Sequence, residues 1–151
     1  MEQKSGFNRR ITEILLRYWL SLRGVRPFPQ EKELDPNLLT DVWDNCFLIK
    51  MTNASTYGGY RYIYMGKNLL DAFGEDVSRE DAEMLVSLPS LRVTAKFDQA
   101  VALRKPLIDE GEFINAKKLA IKYRQILLPM ADNKDSDEIA YLFGGMRWRG
   151  F

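Results

Sequence analysis

The sequence contains no histidine. That absence excludes a Ser-His-Asp or Cys-His nucleophile system, a His-ligated haem and almost every catalytic zinc site. Cysteine occurs once, at Cys46, so no internal disulfide forms and folding does not depend on an oxidising compartment. Charge of one sign is not in excess: 22 Lys and Arg against 21 Asp and Glu leave a net +1. No basic field is therefore present to attract nucleic acid or an anionic membrane surface, and neither is expected as a partner. No run approaches the ~20 apolar residues needed to span a bilayer. The first ten residues carry Glu2, Lys4, Arg9 and Arg10 without an apolar stretch, so no signal peptide is expected and the cytoplasm is the default location. A Walker-type loop and a GxGxxG fingerprint are also missing.

What remains, in 151 residues, is enough for one domain with a core of useful size. Residues 7 to about 23 read as a helix. At ~100° per residue, Phe7, Ile11, Ile14, Leu15, Tyr18, Trp19 and Leu22 fall on one broad face, with Arg9, Arg10, Glu13 and Arg17 opposite. Leu16 and Leu20 form a second small apolar strip among the charges. They either touch a neighbouring loop or meet a partner helix, in which case residues 1–25 form a dimerisation helix ahead of a domain spanning 26–151. Gly24 ends the helix, and Pro27, Pro29 and Pro36 force an extended connection. A short helical turn is expected over Leu38 to Trp43.

Alternation then predicts strands over Cys46–Met51 and Tyr60–Met65, joined by a polar turn from Asn53 to Gly59. Helical pattern follows: a short segment over Asn68–Phe73, a capping box at Ser78 to Asp81 opening a helix through Leu88, and a longer helix from Leu91 to Lys105 that Pro106 stops. The remainder is β again. Strands are expected over Leu107–Ile114, over Lys118–Met130 with Leu119, Ile121 and Tyr123 alternating, and over Ile139–Trp148 after a polar turn. Helices segregated between two sets of adjacent strands indicate an α+β fold, with an antiparallel sheet covered on one face.

Several stretches carry a family likeness: Tyr18-Trp19 with Leu22-Arg23-Gly24, then Arg26-Pro27-Phe28-Pro29 and Asp35-Pro36. Tyr60-Arg61-Tyr62 through Gly66 to Ala72-Phe73-Gly74 follows, then Ile126 to Met130 and Leu142-Phe143-Gly144. In this order and spacing, over roughly residues 15 to 145, the chain resembles a family of small, stand-alone bacterial PAS-domain proteins. Lys67 and Ser78 depart from the family pattern, where a small hydroxyl residue and a glycine are expected. The resemblance implies a five-stranded antiparallel sheet with mid-chain helices on one face and an extra N-terminal helix. It also implies a sensory or regulatory module without enzymatic activity, acting by ligand binding or by contact with a protein partner, and expected as a homodimer.

A ligand site in such a fold lies between the concave sheet and the long helix. Phe47 and Ile49 on the first strand, Tyr62 and Tyr64 on the second, Phe97 and Val101 on the helix, and Ile121 and Tyr123 on the fourth strand are expected to line it. Either these residues fill a packed core, or their hydroxyls orient a small molecule. Asn45-Cys46-Phe47-Leu48 is faintly similar to the flavin-reactive cysteine segment of light-sensing PAS relatives, but there the cysteine is on a mid-domain helix and here it opens a strand. A flavin adduct is not expected, and neither is haem, for which Cys or Tyr would have to replace histidine. Asp132 to Glu138 lacks the glycine and terminal glutamate of a calcium loop and reads as a solvated turn; no metal is expected. Arg147-Trp148-Arg149 reads as a strand end. The cone-shaped hydratases and isomerases of the nuclear-transport-factor-like fold need a polar acid-base pair in their pocket. The inward positions here read as nearly all apolar or aromatic.

Overall fold

The computed structural model of the protein describes residues 2–51, 60–73, 91–133 and 135–150, with side chains from Ile11 onward in the first helix and from Lys96 onward in the third. The expected turn at 53–59 and the helix from Ser78 lie outside the described residues. Among them, the order is α1 (Glu2–Arg23), β1 (Cys46–Met51), β2 (Tyr60–Met65), α2 (Lys67–Phe73), α3 (Leu91–Leu103), β3 (Leu107–Ile114), β4 (Ala120–Met130) and β5 (Tyr141–Gly150). Three short 3₁₀ turns, Glu31–Glu33, Pro36–Leu38 and Trp43–Asn45, fill the connection between α1 and β1. The strands form one five-stranded sheet in the order β2-β1-β5-β4-β3, and every neighbouring pair is antiparallel.

Period-two patterning along the strands splits the core in two. On the inner face, Phe47, Ile49, Ile121, Tyr123, Leu127, Leu142 and Met146 pack with Leu69, Ala72 and Phe73 of α2 and with Phe97 and Ala100 of α3. On the outer face, Cys46, Ile126, Leu128, Met130 and Phe143 pack under Ile11, Leu15 and Trp19 of α1. The sheet is thus covered on both faces, where sequence patterning predicts one. The reason is that α1 spends its apolar stripe on its own sheet: Ile11, Leu15 and Trp19 are spaced four apart and all buried. Burying each such side chain stabilises the fold by ~1.5–3 kcal/mol.

Gly24 stops α1 at φ +58°, a left-handed conformation that suits glycine, and its N–H donates to the Leu20 carbonyl at 3.2 Å. The proline-bearing connector then laces onto the end of β4. Ala131 N–H donates to Pro29 O at 2.9 Å and Glu31 N–H to Ala131 O at 3.1 Å. The Tyr18 hydroxyl accepts the Asp35 N–H at 2.8 Å, tying the connector back to α1.

Two consecutive glycines in β5 bring the halves of the core close together. A methyl group at Gly144 would stand 2.6 Å from the Phe47 ring on the inner side, and one at Gly145 would stand 2.5 Å from Leu15 Cδ1 on the outer side.

Candidate functional site

A β-bulge decides which tyrosines face inward. Ile49 pairs with Tyr62 but Leu48 pairs with Tyr64, so the register slips by one residue between them. Tyr60 and Tyr62 therefore point to the inner core, whereas Tyr64 is turned to the outer face. There its ring stacks on Trp43 with centroids 4.8 Å apart, and its hydroxyl donates to the Trp43 carbonyl at 3.1 Å. The expectation that Tyr64 lines the interior is corrected: strict alternation along β2 fails because the extra residue reverses the side-chain sense.

Among the described residues, the inner face carries a small, partly open cavity lined by Phe47, Tyr62, Leu69, Phe73, Phe113, Tyr123, Gln125 and Met146. Its volume is about 10 Å³ measured for water centres, room for a single water. Of the residues expected at the site, Phe47, Tyr62 and Tyr123 reach the cavity wall. Ile49, Phe97 and Ile121 are buried in the surrounding core, and Val101 packs against it from α3. Phe97 meets Tyr60 and Tyr62 edge-on, with centroid separations of 5.3 and 6.4 Å. Phe73 stacks on Phe113 at 5.4 Å to close the α2 end.

The interior also holds polar groups that alternation alone does not single out. Asp109 on β3 is 6% exposed. Its Oδ2 accepts the Tyr123 hydroxyl at 3.0 Å and the Gln125 Nε2 at 3.1 Å, and Lys96 Nζ of α3 stands 3.6 Å from Oδ1. Gly111, the register partner of Tyr123, makes room for this: a methyl group there would lie 2.7 Å from the Tyr123 oxygen. The expectation of an almost wholly apolar interior is corrected by this carboxylate and its donors. Leu119 is corrected as well. It sits in the β3–β4 turn, half exposed, because Asn115 Oδ1 takes the N–H groups of Lys117 and Leu119 and delays the strand to Ala120.

Burial sets the protonation of the tyrosines. Desolvation first, and Tyr123 nearby second, push the Tyr62 hydroxyl above the ordinary tyrosine range. Tyr60 is raised too, by desolvation and then by its hydrogen bond to Asp98. A second polar chain frames the site: Asn45 Nδ2 donates to Met146 O at 3.0 Å, Asn68 Nδ2 to Asn45 Oδ1 at 2.8 Å, and Trp148 Nε1 to Asn68 O at 2.8 Å. Cys46 lies on the outer face, with its Sγ–H directed at Val42 O, and desolvation pushes the thiol up to about 12. It does not face the cavity. Leu16 is half-buried against the outer core, while Leu20 is 43% exposed.

An antiparallel sheet in the order 2-1-5-4-3, cupping helices inserted after its second strand, defines the class to which the chain is assigned. A family model described as PAS domain matches residues 8–146. The chain belongs to that family. Solved structures share its fold at low identity. One is the LOV domain of a blue-light activated histidine kinase from Erythrobacter litoralis, with TM-score 0.51 and 12% identity over 70% of this chain and 95% of that one. A PAS domain from Colwellia psychrerythraea gives 0.50 and 13% over 74% and 93%. The LOV protein of Rhodobacter sphaeroides gives 0.51 and 12% over 76% and 68%. No curated protein matches the chain.

Proposed function

We propose that the chain is a non-enzymatic sensory module that binds a small molecule between its inner sheet face and α2–α3 and passes the bound state to a protein partner. The observation that carries this reading is the cavity wall. Tyr62 is buried to more than nine-tenths, yet its hydroxyl has no hydrogen-bond partner among the described residues. The hydroxyl opens onto the pocket, where a water or a polar group of a ligand can bond it. The apolar remainder of the wall, with a few fixed polar groups, is the usual make-up of a small-molecule site. A role in bacterial signal transduction in the cytoplasm belongs to the same proposal, and membership of the PAS family supports it. Among the described residues no helix is long and apolar enough to cross a membrane.

Cys46 packs in the outer core, so a covalent adduct through its thiol is not part of this proposal. Native mass spectrometry of protein purified from cells, compared with the denatured chain, tests the proposal. A reproducible small-molecule mass difference is expected. The native and denatured masses agreeing, with no small molecule in the denatured extract, would count against it.

A second reading concerns the partner. Leu20 is exposed beside Leu16 on α1, which favours a homodimer through that strip. Sedimentation of the chain and of a Leu16→Glu, Leu20→Glu double variant tests it; identical behaviour of the two would remove α1 as the interface.

A further inference from the structure

We propose that the interior site selects a small, uncharged, mainly apolar molecule with one neutral hydrogen-bonding group, which takes up the Tyr62 hydroxyl. This rests on the reading that the interior binds a ligand, and specifies which chemistry it accepts.

The argument starts from the wall. Its described residues are five apolar side chains (Phe47, Leu69, Phe73, Phe113 and Met146), two tyrosines and one carboxamide. None is charged. A charged ligand loses its hydration on entry and needs a matching charge inside, without which burial is strongly disfavoured.

Among the described residues, Asp109 is a charged group that bonds this wall, and its oxygens already have partners. Oδ2 takes two donors from the wall residues Tyr123 and Gln125, and Lys96 stands by Oδ1. A cationic ligand would have to displace those donors. An anionic ligand would meet a carboxylate held just behind the wall. Among the described residues neither sign of charge finds a partner. A neutral molecule avoids both penalties.

The wall does have hydrogen-bonding capacity left over. Tyr62 both donates and accepts, and it has no partner among the described residues. Gln125 gives its amide nitrogen to Asp109, and no described donor bonds its oxygen. Each of these groups can bond a hydroxyl or amide on a ligand. The space suits a single water. A ligand's polar group replaces it, and the flexible Met146 side chain and the neighbouring rings make room for the rest.

Four probes decide the matter: p-cresol, toluene, benzoate and benzylamine, titrated at neutral pH into the full chain while the Leu69 and Met146 methyl signals are followed by ¹H–¹³C NMR. The expected result is saturable movement of both methyls with p-cresol, and affinity for benzoate and benzylamine weaker by at least about tenfold. Tyr62→Phe is expected to weaken p-cresol by roughly threefold to tenfold and to leave toluene unchanged. Benzoate or benzylamine binding as tightly as p-cresol overturns the proposal while the interior-binding reading stands, and so does a Tyr62→Phe variant with unaltered p-cresol affinity. If no probe of any class moves these methyls, the interior-binding reading falls and the proposal with it. The ranking of probes on the unaltered chain needs no variant, so a folding defect in Tyr62→Phe does not blunt the test.

Discussion

The indole N–H of Trp19 donates to the carbonyl of Pro129 at 2.8 Å, across 110 positions of sequence. The bond is buried, and it fixes α1 where β4 has run past the end of its ladder with β3, which stops at Leu127. Beyond that point a residue without an N–H is tolerated and its carbonyl is open to a side-chain donor. α1 is therefore an integral layer of the fold.

That docking predicts a graded pair of substitutions. Trp19→Ala is expected to lose ~3–5 kcal/mol through the cavity it leaves. Trp19→Phe keeps most of the apolar contact and strands the Pro129 carbonyl, for a loss of ~1–3 kcal/mol. Urea unfolding of both variants checks the order; a small effect for Trp19→Ala would mean that α1 contributes little.

Gly144 and Gly150 lie on the same strand and should respond unequally to alanine. A methyl group at Gly144 would stand 2.2 Å from the Ile126 carbonyl oxygen, which is backbone and cannot yield cheaply. Gly144→Ala is expected to destabilise by ~1–3 kcal/mol. At Gly150 the nearest atom would be 3.7 Å away, so Gly150→Ala is expected to be nearly neutral. Comparable melting points for the two variants would contradict the strand packing.

The two cavity tyrosines are also separable. Tyr123→Phe removes a donor from the buried Asp109 carboxylate and is expected to cost ~1–3 kcal/mol. Tyr62→Phe removes an oxygen with no partner among the described residues and is expected to be neutral or stabilising. Thermal unfolding of both decides; a larger loss for Tyr62→Phe would show that its hydroxyl is bonded after all.

Alkaline pH should weaken the fold. Cys46 is raised from 9.0 to about 12, and Tyr60 and Tyr62 are raised from 10.0, all chiefly by desolvation. In each case the folded state favours the protonated form. The stabilisation is complete below the unfolded values and is lost as pH rises through them toward the folded ones. Melting temperature is expected to hold to about pH 9 and to fall above it, with the earliest part of the fall absent in Cys46→Ala. A flat profile through about pH 11 would contradict these buried environments.

Most of the fold was legible because its signals are local. Ile11, Leu15 and Trp19 repeat at helical spacing, Gly24 and Pro106 punctuate, and β1 and β4 alternate over long stretches. The five-stranded antiparallel sheet follows from these with the family resemblance. Tyr64 was not legible, since a bulge is a property of two paired strands and leaves no mark in the alternation of one. Asp109 was hidden for a different reason. β3 carries large apolar residues at both parities, Phe113 on one side and Ile108 and Ile114 on the other, so pattern alone does not say which side is buried. Gln125 shares its parity with Ile121, Tyr123 and Leu127, and extending that series one step would have placed it inside. The second covered face needed the partner of α1, which only the folded chain supplies.

At Gly144 and Gly145 the partition between the two halves of the core is bare main chain. Phe47 leans on it from one side and Leu15 from the other, with no side chain between to absorb a shove. A bulkier residue on either side of this bare main chain therefore demands slimming on the other.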